Sequence, residues 1–289
     1  MQFGIHYGYW AQDWEDALAP LCRRARRCGF DCLEIGGKLL ADMPAKDLDA
    51  LRALGEETQV TLIGGLGLPA DRNIASADPQ IRQAGKDYLK RTILAAERAG
   101  IRTLTGILYA SWFYDASKPV HKEETRAHSV SSMREIAQFA AGHGVTLMME
   151  VVNRFATYML NTAAEGAAYV DAVGRDNVKV MLDTFHMNIE EDSLRDAVLT
   201  AGHRLGYLHV CEGNRKLPGQ GRLPWAEIAG ALKDISYDGL VVIESIVHTQ
   251  GSVGHDLKIW RSLSPWGAPE DMDRAAERSL GYLKGLFRG

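Results

Sequence analysis

Thr146-Leu147-Met148-Met149-Glu150-Val151-Val152, then the amphipathic stretch Thr162–Val173, then Val178-Lys179-Val180-Met181-Leu182-Asp183 decide how this chain folds. Two short apolar runs flank a segment of helical spacing, and each run delivers a carboxylate near its end. Near-continuous apolar runs of this length read as parallel strands buried on both faces. The same alternation extends in both directions. Upstream lie strand candidates Phe3–Tyr7, Cys32–Ile35, Val60–Leu66 and Thr103–Leu108; downstream lie Leu205–Val210 and Gly239–Glu244. Between them run Trp14–Cys28, Ala45–Thr58, Ile81–Ala99, Glu123–His143 and Trp225–Ile235, charged on one side and apolar on the other. Glycines at Gly29, Gly100 and Gly144 sit where a helix must stop before the next strand starts.

Eight strand–helix units in succession, with no Pro/Gly-rich linker and no break in composition, favour one closed parallel barrel over a doubly wound open sheet. The expectation is an α/β protein, a single (β/α)8 TIM barrel over 1–289. Its C-terminal helical extension, Gly251–Gly289, is read as a helix pair carrying a polar loop at Ser262–Asp273. The 289 residues suffice for such a barrel. With 46% hydrophobic and 24% charged residues, the composition is that of an ordinary globular protein. A formal charge of −4 gives no electrostatic reason to expect a nucleic acid or an acidic membrane as partner. No apolar run approaches the ~20 residues of a membrane helix. Cys22, Cys28, Cys32 and Cys211 have no zinc-type spacing and read as free, buried thiols of a reducing compartment. The N-terminus MQFGIHYGYW lacks the pattern of a secretory signal, and the expected location is cytoplasmic.

In a barrel of this kind, chemistry gathers where strands end. Strand five ends at Glu150; strand six ends at Asp183, with His186 three residues on. Strand seven ends at His209, with Glu212 beyond, and strand eight ends at Glu244. Singly, each has a bland reading: a salt-bridged glutamate, Asp183 as a helix cap, His209 as a satisfied core histidine. Together, on four consecutive strands, they form a candidate ligand set for one divalent metal, since buried carboxylates need a partner or a cation. Three carboxylates and an imidazole suit Mn²⁺, Co²⁺ or Mg²⁺ better than they suit a thiolate-seeking ion, and Zn²⁺ stays open. Arg215 follows strand seven on the same face, as a substrate contact or a solvated loop charge. His6, Trp14, Tyr109 and Trp112 follow strands one and four, as packing residues or as the flat walls of a sugar pocket. Gly64-Gly65-Leu66-Gly67 lacks the features of a phosphate loop and reads as a close backbone approach at the barrel mouth.

Several stretches in order resemble the ketose 3-epimerases, the group of D-tagatose and D-psicose (D-allulose) 3-epimerases within the xylose-isomerase-like barrels. They are Met149–Phe155, Leu160–Ala163, Val178–Asp192, Glu212–Lys216, the later Pro-Gly-Gln-Gly-Arg with Pro224-Trp225, and Leu257–Arg261. The resemblance spans the whole chain. It implies that Glu150, Asp183, His209 and Glu244 hold one divalent metal, Mn²⁺ foremost, with Co²⁺ or Mg²⁺ as alternatives. It implies that Glu150 and Glu244 are the acid/base pair of a C3 epimerisation of free keto-sugars through a cis-enediolate. His186 and Arg215 are implied to hold the carbonyl end, and Trp112, His6, Leu108 and Leu66 to line the substrate pocket. A homodimer or homotetramer is implied as well. Three positions depart from the pattern: Ala156 stands where the group generally carries Glu, His6 where an aromatic residue is common, and Ile107 where a small one is. These put the identity of the sugar, not the chemistry, in question. The rival readings are an aldose–ketose isomerase or an epimerase of modified sugars, a metal-dependent endonuclease, and a non-catalytic sugar-binding barrel. The acidic balance opposes the endonuclease, and a carboxylate for each face of a planar intermediate is superfluous in a pure binder.

Overall fold

In a computed structural model, which describes residues 1–112, 114, 115, 117, 119–264 and 268–287, eight parallel strands close into a barrel. They are β1 (Gln2–His6), β2 (Cys32–Gly36), β3 (Thr61–Gly65), β4 (Thr103–Gly106), β5 (Thr146–Glu150), β6 (Val178–Asp183), β7 (Leu205–Val210) and β8 (Leu240–Ile243). Each strand pairs with its neighbours in sequence, and β8 returns to β1 through Phe3↔Val241 and Ile5↔Ile243. Ten α-helices are described: α1 (Leu18–Arg27), α2 (Ala45–Thr58), α3 (Pro79–Arg98), α4 (Lys122–Gly142), α5 (Ala163–Val173), α6 (Thr184–Glu190), α7 (Leu194–Ala201), α8 (Trp225–Asp234), α9 (Gly251–Asp256) and α10 (Pro269–Phe287).

The expected barrel is observed, with corrections at its edges. Most strands end one or two residues earlier than the apolar runs suggest, because the residues beyond leave the sheet to form the mouth. Trp14 lies in the turn before α1 rather than within it. The connection from β6 to β7 holds two helices, α6 and α7, that the apolar pattern does not announce. α10 begins at Pro269, so the polar loop is shorter than Ser262–Asp273, and its residues 265–267 lie outside the described residues. Of the aromatic and apolar residues near the C-terminus, Leu280 and Phe287 are buried and Tyr282 is half-exposed. The Phe287 ring meets that of Phe3 at 6.5 Å, so α10 seals the barrel beside β1. All four cysteines are free and buried.

The barrel interior is built in layers. Cys32, Ile63, Met148, Met181, Tyr207 and Val242 pack together in its centre, one from each of six strands. Side chains two residues apart on a strand share a face, so the next inward positions lie one layer nearer the mouth. On those six strands the next layer reads Glu34, Gly65, Glu150, Asp183, His209 and Glu244. An apolar floor thus carries a polar layer by strand geometry alone.

Candidate active site

Three of the four expected ligands are the last residues of their strands or one before it, and Glu244 follows β8 directly. Each offers one ligand atom, and these atoms all lie within 4.8 Å of one another. Asp183 and His209 are buried, while Glu150 and Glu244 are partly open to the cavity above. The backbone fixes this convergence: Asp183 and His209 are register partners across β6 and β7, and His209 pairs with Val242, two residues before Glu244. Tyr109 is fully buried, and its hydroxyl donates to the Glu150 carbonyl at 2.9 Å. It therefore supports the end of β5 and is not a pocket wall.

The helix-cap reading of Asp183 holds for one oxygen, and the other has a different partner. Oδ1 accepts from the Phe185 amide at 2.8 Å and caps α6, while Oδ2 accepts from Arg215 Nη1 at 3.0 Å. His209 is likewise divided. Its Nε2 lies 2.7 Å from Glu34 Oε2, and its buried Nδ1 makes no hydrogen bond. That atom faces Glu244 Oε2 at 3.4 Å and Glu150 Oε1 at 3.9 Å. An orphaned imidazole nitrogen converging with three carboxylates is the arrangement that a divalent cation satisfies. The residues present therefore fit a metal.

Arg215 Nη1 also donates to Glu244 Oε2, and its guanidinium lies over the Phe185 ring at 4.1 Å. Its backbone takes a φ of 68°, in a region disfavoured for side chains with a Cβ, within the tight turn at 212–216. Glu212 holds that turn. It is buried away from the cavity and accepts from the Gly219 and Leu223 amides at 2.9 and 3.2 Å and from Trp225 Nε1 at 2.8 Å. His186 Nδ1 accepts from the Asn153 amide at 3.1 Å. The proton of the neutral ring is therefore on Nε2, which points at Asp183 Oδ2 (3.6 Å) and Glu150 Oε1 (3.9 Å). Burial, reinforced by Arg215, pushes His186 down to about 3 and keeps it a neutral donor.

The two glutamates differ electrostatically. Burial, with the charge of Glu244 nearby, holds the Glu150 carboxyl well above the usual range. Burial opposes the charge of Glu244 too, but Arg215 and His209 outweigh it and hold this carboxyl well below that range. Asp183 is raised to about 6 by burial, moderated by Arg215. The two carboxyls are thus shifted in opposite directions by their surroundings. A cation bound among them pulls both toward the ionised form.

Above these residues opens a cavity of about 800 Å³, within the usual size of small-molecule sites. His6, Trp14, Leu66, Trp112, His186 and Arg215 line it, as does Ala156. Leu108 does not: it is fully buried, and Ile107 faces the cavity in its place. The chain folds back there, the Leu108 amide donating to the Gly106 carbonyl at 3.0 Å, which breaks the alternation of the strand. The glycines of β3 and its loop make the expected close approaches. A Cβ at Gly67 would lie 2.8 Å from Trp112, and one at Gly65 would collide with Glu34 Oε1. Glu34 itself lies in the middle of an apolar strand and is absent from the strand-end candidates. The available signal was a carboxylate in Cys-Leu-Glu-Ile, a place where it must be buried and so must be paired.

Comparison with known proteins agrees with this geometry. Residues 22–276 match the xylose isomerase-like TIM barrel family. The chain is 41% identical over 100% of both chains to the D-psicose 3-epimerase of Agrobacterium fabrum, and 34% identical to the L-ribulose 3-epimerase of Methylomonas sp., covering 98% of this chain and 97% of that one. The chain belongs to the ketose 3-epimerase family. Its fold superposes on a crystal structure of a D-psicose 3-epimerase in the presence of D-fructose with a TM-score of 0.96, at 41% identity and full coverage of both chains. A D-psicose 3-epimerase with D-tagatose from Clostridium cellulolyticum matches equally well, with a TM-score of 0.96 at 41% identity over 99% of each chain. As a ketose 3-epimerase family member the chain is an isomerase-class enzyme, and its candidate metal site lies at the mouth of the barrel.

Proposed function

We propose that this enzyme inverts C3 of free keto-sugars of the psicose, tagatose, fructose or L-ribulose type, with one divalent metal ion per subunit. The observation that carries the reading is the pair Glu150 and Glu244, converging with Asp183 and His209 beneath a sugar-sized cavity. Glu150, Asp183, His209 and Glu244 would hold the metal, Mn²⁺ foremost, with Co²⁺ or Mg²⁺ as alternatives. When bound, it supplies a Lewis acid that lowers the cost of the enediolate.

The remaining chemistry belongs to the chain. A C–H next to a carbonyl is a weak acid, and inversion needs a proton taken from one face of C3 and another returned to the opposite face. In this reading Glu150, on β5, and Glu244, at the end of β8, act from two sides of C3. One carboxylate takes the C3 proton, and the other, in its protonated form, returns one to the planar cis-enediolate. His186 Nε2–H and the Arg215 guanidinium donate to the oxygen at the carbonyl end, where negative charge develops. Trp14, Trp112, Leu66 and His6 form the walls that hold the rest of the sugar and exclude water. In this reading residues 1–289 work as one barrel domain in the cytoplasm, as a homodimer or homotetramer. Among the described residues no helix is long and apolar enough to cross a membrane.

Replacing either glutamate tests the scheme. Glu150→Gln and Glu244→Gln each keep the size of the side chain and remove its ability to take a proton. Each is expected to lower kcat on D-psicose and D-fructose by at least about a thousandfold, the upper part of the range for acid/base groups. Near-normal turnover by either variant contradicts the two-base mechanism.

A further inference from the structure

Glu34 is a buried carboxylate for which the mechanism above has no use. It lies in the polar layer above Cys32, in register with His6 of β1, and is 3% exposed. A carboxylate so placed is costly unless its oxygens are satisfied. Oε2 takes two donors, His209 Nε2 at 2.7 Å and the hydroxyl of Tyr207, one layer below on the same strand as His209. Oε1 lies against the Cα of Gly65, in space that any larger residue there would fill. The carboxylate is therefore held through Oε2 by two donors and packed through Oε1 against Gly65.

We propose that Glu34 is the positioning residue of the metal site: by accepting the Nε2 proton of His209 it leaves Nδ1 as the ligand atom and fixes the plane of the ring. The inference rests on the metal-dependent reading above. An imidazole carries its ligating lone pair on one nitrogen and its proton on the other, and the partner of the proton decides which is which. In this structure the choice is visible on both sides of the ring. Nε2 is engaged by Glu34, whereas Nδ1 is buried, unpartnered and directed toward Glu150 and Glu244. The negative charge of Glu34 also strengthens the ligand, since a proton shared with a carboxylate makes the imidazole a better electron donor. Tyr207 serves Glu34 rather than the metal: its hydroxyl donates to Oε2 beside the His209 contact. His6, whose ring lies 6.3 Å from that of His209, lines the cavity beside the array.

The alternative is that Glu34 only satisfies Tyr207 in the core. Binding of Mn²⁺ to the chelator-stripped protein, followed by calorimetry, separates the two. The variants are Glu34→Gln, Glu34→Leu and Tyr207→Phe, with thermal unfolding of each stripped protein as the control for folding. Loss of a carboxylate behind a metal-binding histidine commonly costs 10–100-fold in affinity, so Kd should rise about tenfold for Gln and about a hundredfold for Leu. Tyr207→Phe leaves the His209 contact in place and should stay within about threefold of the wild type. Should the leucine variant fail to fold, the near-isosteric glutamine variant carries the test. A second readout needs no variant of the ligands. In ¹⁵N-histidine-labelled protein loaded with diamagnetic Mg²⁺, a protected Nε2–H resonance is expected in the wild type and is expected to be lost in the Glu34 variant that folds. Unchanged Mn²⁺ affinity in the glutamine and folded leucine variants overturns the proposal, as does a loss in Tyr207→Phe equal to theirs. A wild-type protein that binds no divalent ion overturns the metal-dependent reading itself, and the positioning role with it.

Discussion

One oxygen of Asp183 caps a helix while the other faces Arg215, and one nitrogen of His209 is satisfied while the other is not. At this scale a residue type at a strand end is not a role; the role is divided among atoms, and sequence does not resolve atoms. That is why the ligand set was legible and Glu34 was not. Four polar residues at four strand ends stand out against apolar runs, whereas Glu34 is a single interruption within one. Leu108 and Ile107 differ for a similar reason, since a tight backbone turn at Gly106 decides which of the two faces the cavity. Ala156 is the residue with the clearest consequence. It is buried in the cavity wall where the resemblance leads one to expect a glutamate, so this end of the cavity has one acceptor fewer for a sugar hydroxyl. A hydrogen bond to a charged partner contributes about 1.5–3 kcal/mol, roughly ten- to a hundredfold in an equilibrium. Ala156→Glu is therefore expected to lower KM for D-fructose and D-tagatose by about tenfold. Steady-state kinetics of the pair check this, and unchanged or poorer kinetics in the variant would mean that the substrate does not use that acceptor.

The βα loops are held by carboxylates as well as by apolar packing. Glu190 clamps Arg154 in the loop after β5 through a two-pronged ion pair, and Glu191 accepts from the Ala163 amide. Glu212 ties together Gly219, Leu223 and Trp225 and so sets the turn that presents Arg215. Such anchors explain the elements that periodicity missed. α6 has seven residues and starts from the last residue of β6, too short and too abrupt for an apolar stripe to register. The long helices α3 and α4, with 20 and 21 residues, were legible because their stripes run through several turns. Glu212→Ala strands two buried donors, the Leu223 amide and Trp225 Nε1, at about 1–3 kcal/mol each. The expected result is a fall in Tm of about 10 °C, with KM raised through Arg215. A fall of less than about 2 °C on thermal unfolding contradicts the anchoring role.

Across the whole molecule, the period of the strand converts a sequence rule into a site. An apolar layer at Cys32, Met148, Met181, Tyr207 and Val242 is followed two residues later by Glu34, Glu150, Asp183, His209 and Glu244. The polar layer concentrates negative charge in the barrel, where His209, Arg215 and a bound cation offset it. A cation that binds the folded form alone stabilises it by about 4 kcal/mol at a thousandfold excess over Kd. Saturating Mn²⁺ should raise Tm by roughly 10 °C, and a chelator should reverse the rise. An unchanged Tm contradicts a metal site in the polar layer. Inversion at C3 turns on where the proton moves, and that can be read directly. D-psicose, D-fructose, D-tagatose, D-ribulose and L-ribulose are each incubated with Mn²⁺-loaded enzyme in D₂O and followed by NMR. Deuterium at C3 together with the appearance of the 3-epimer is expected for at least one of these sugars. Deuterium at C1 with an aldose product, or no exchange at C3 in any of them, contradicts inversion at C3.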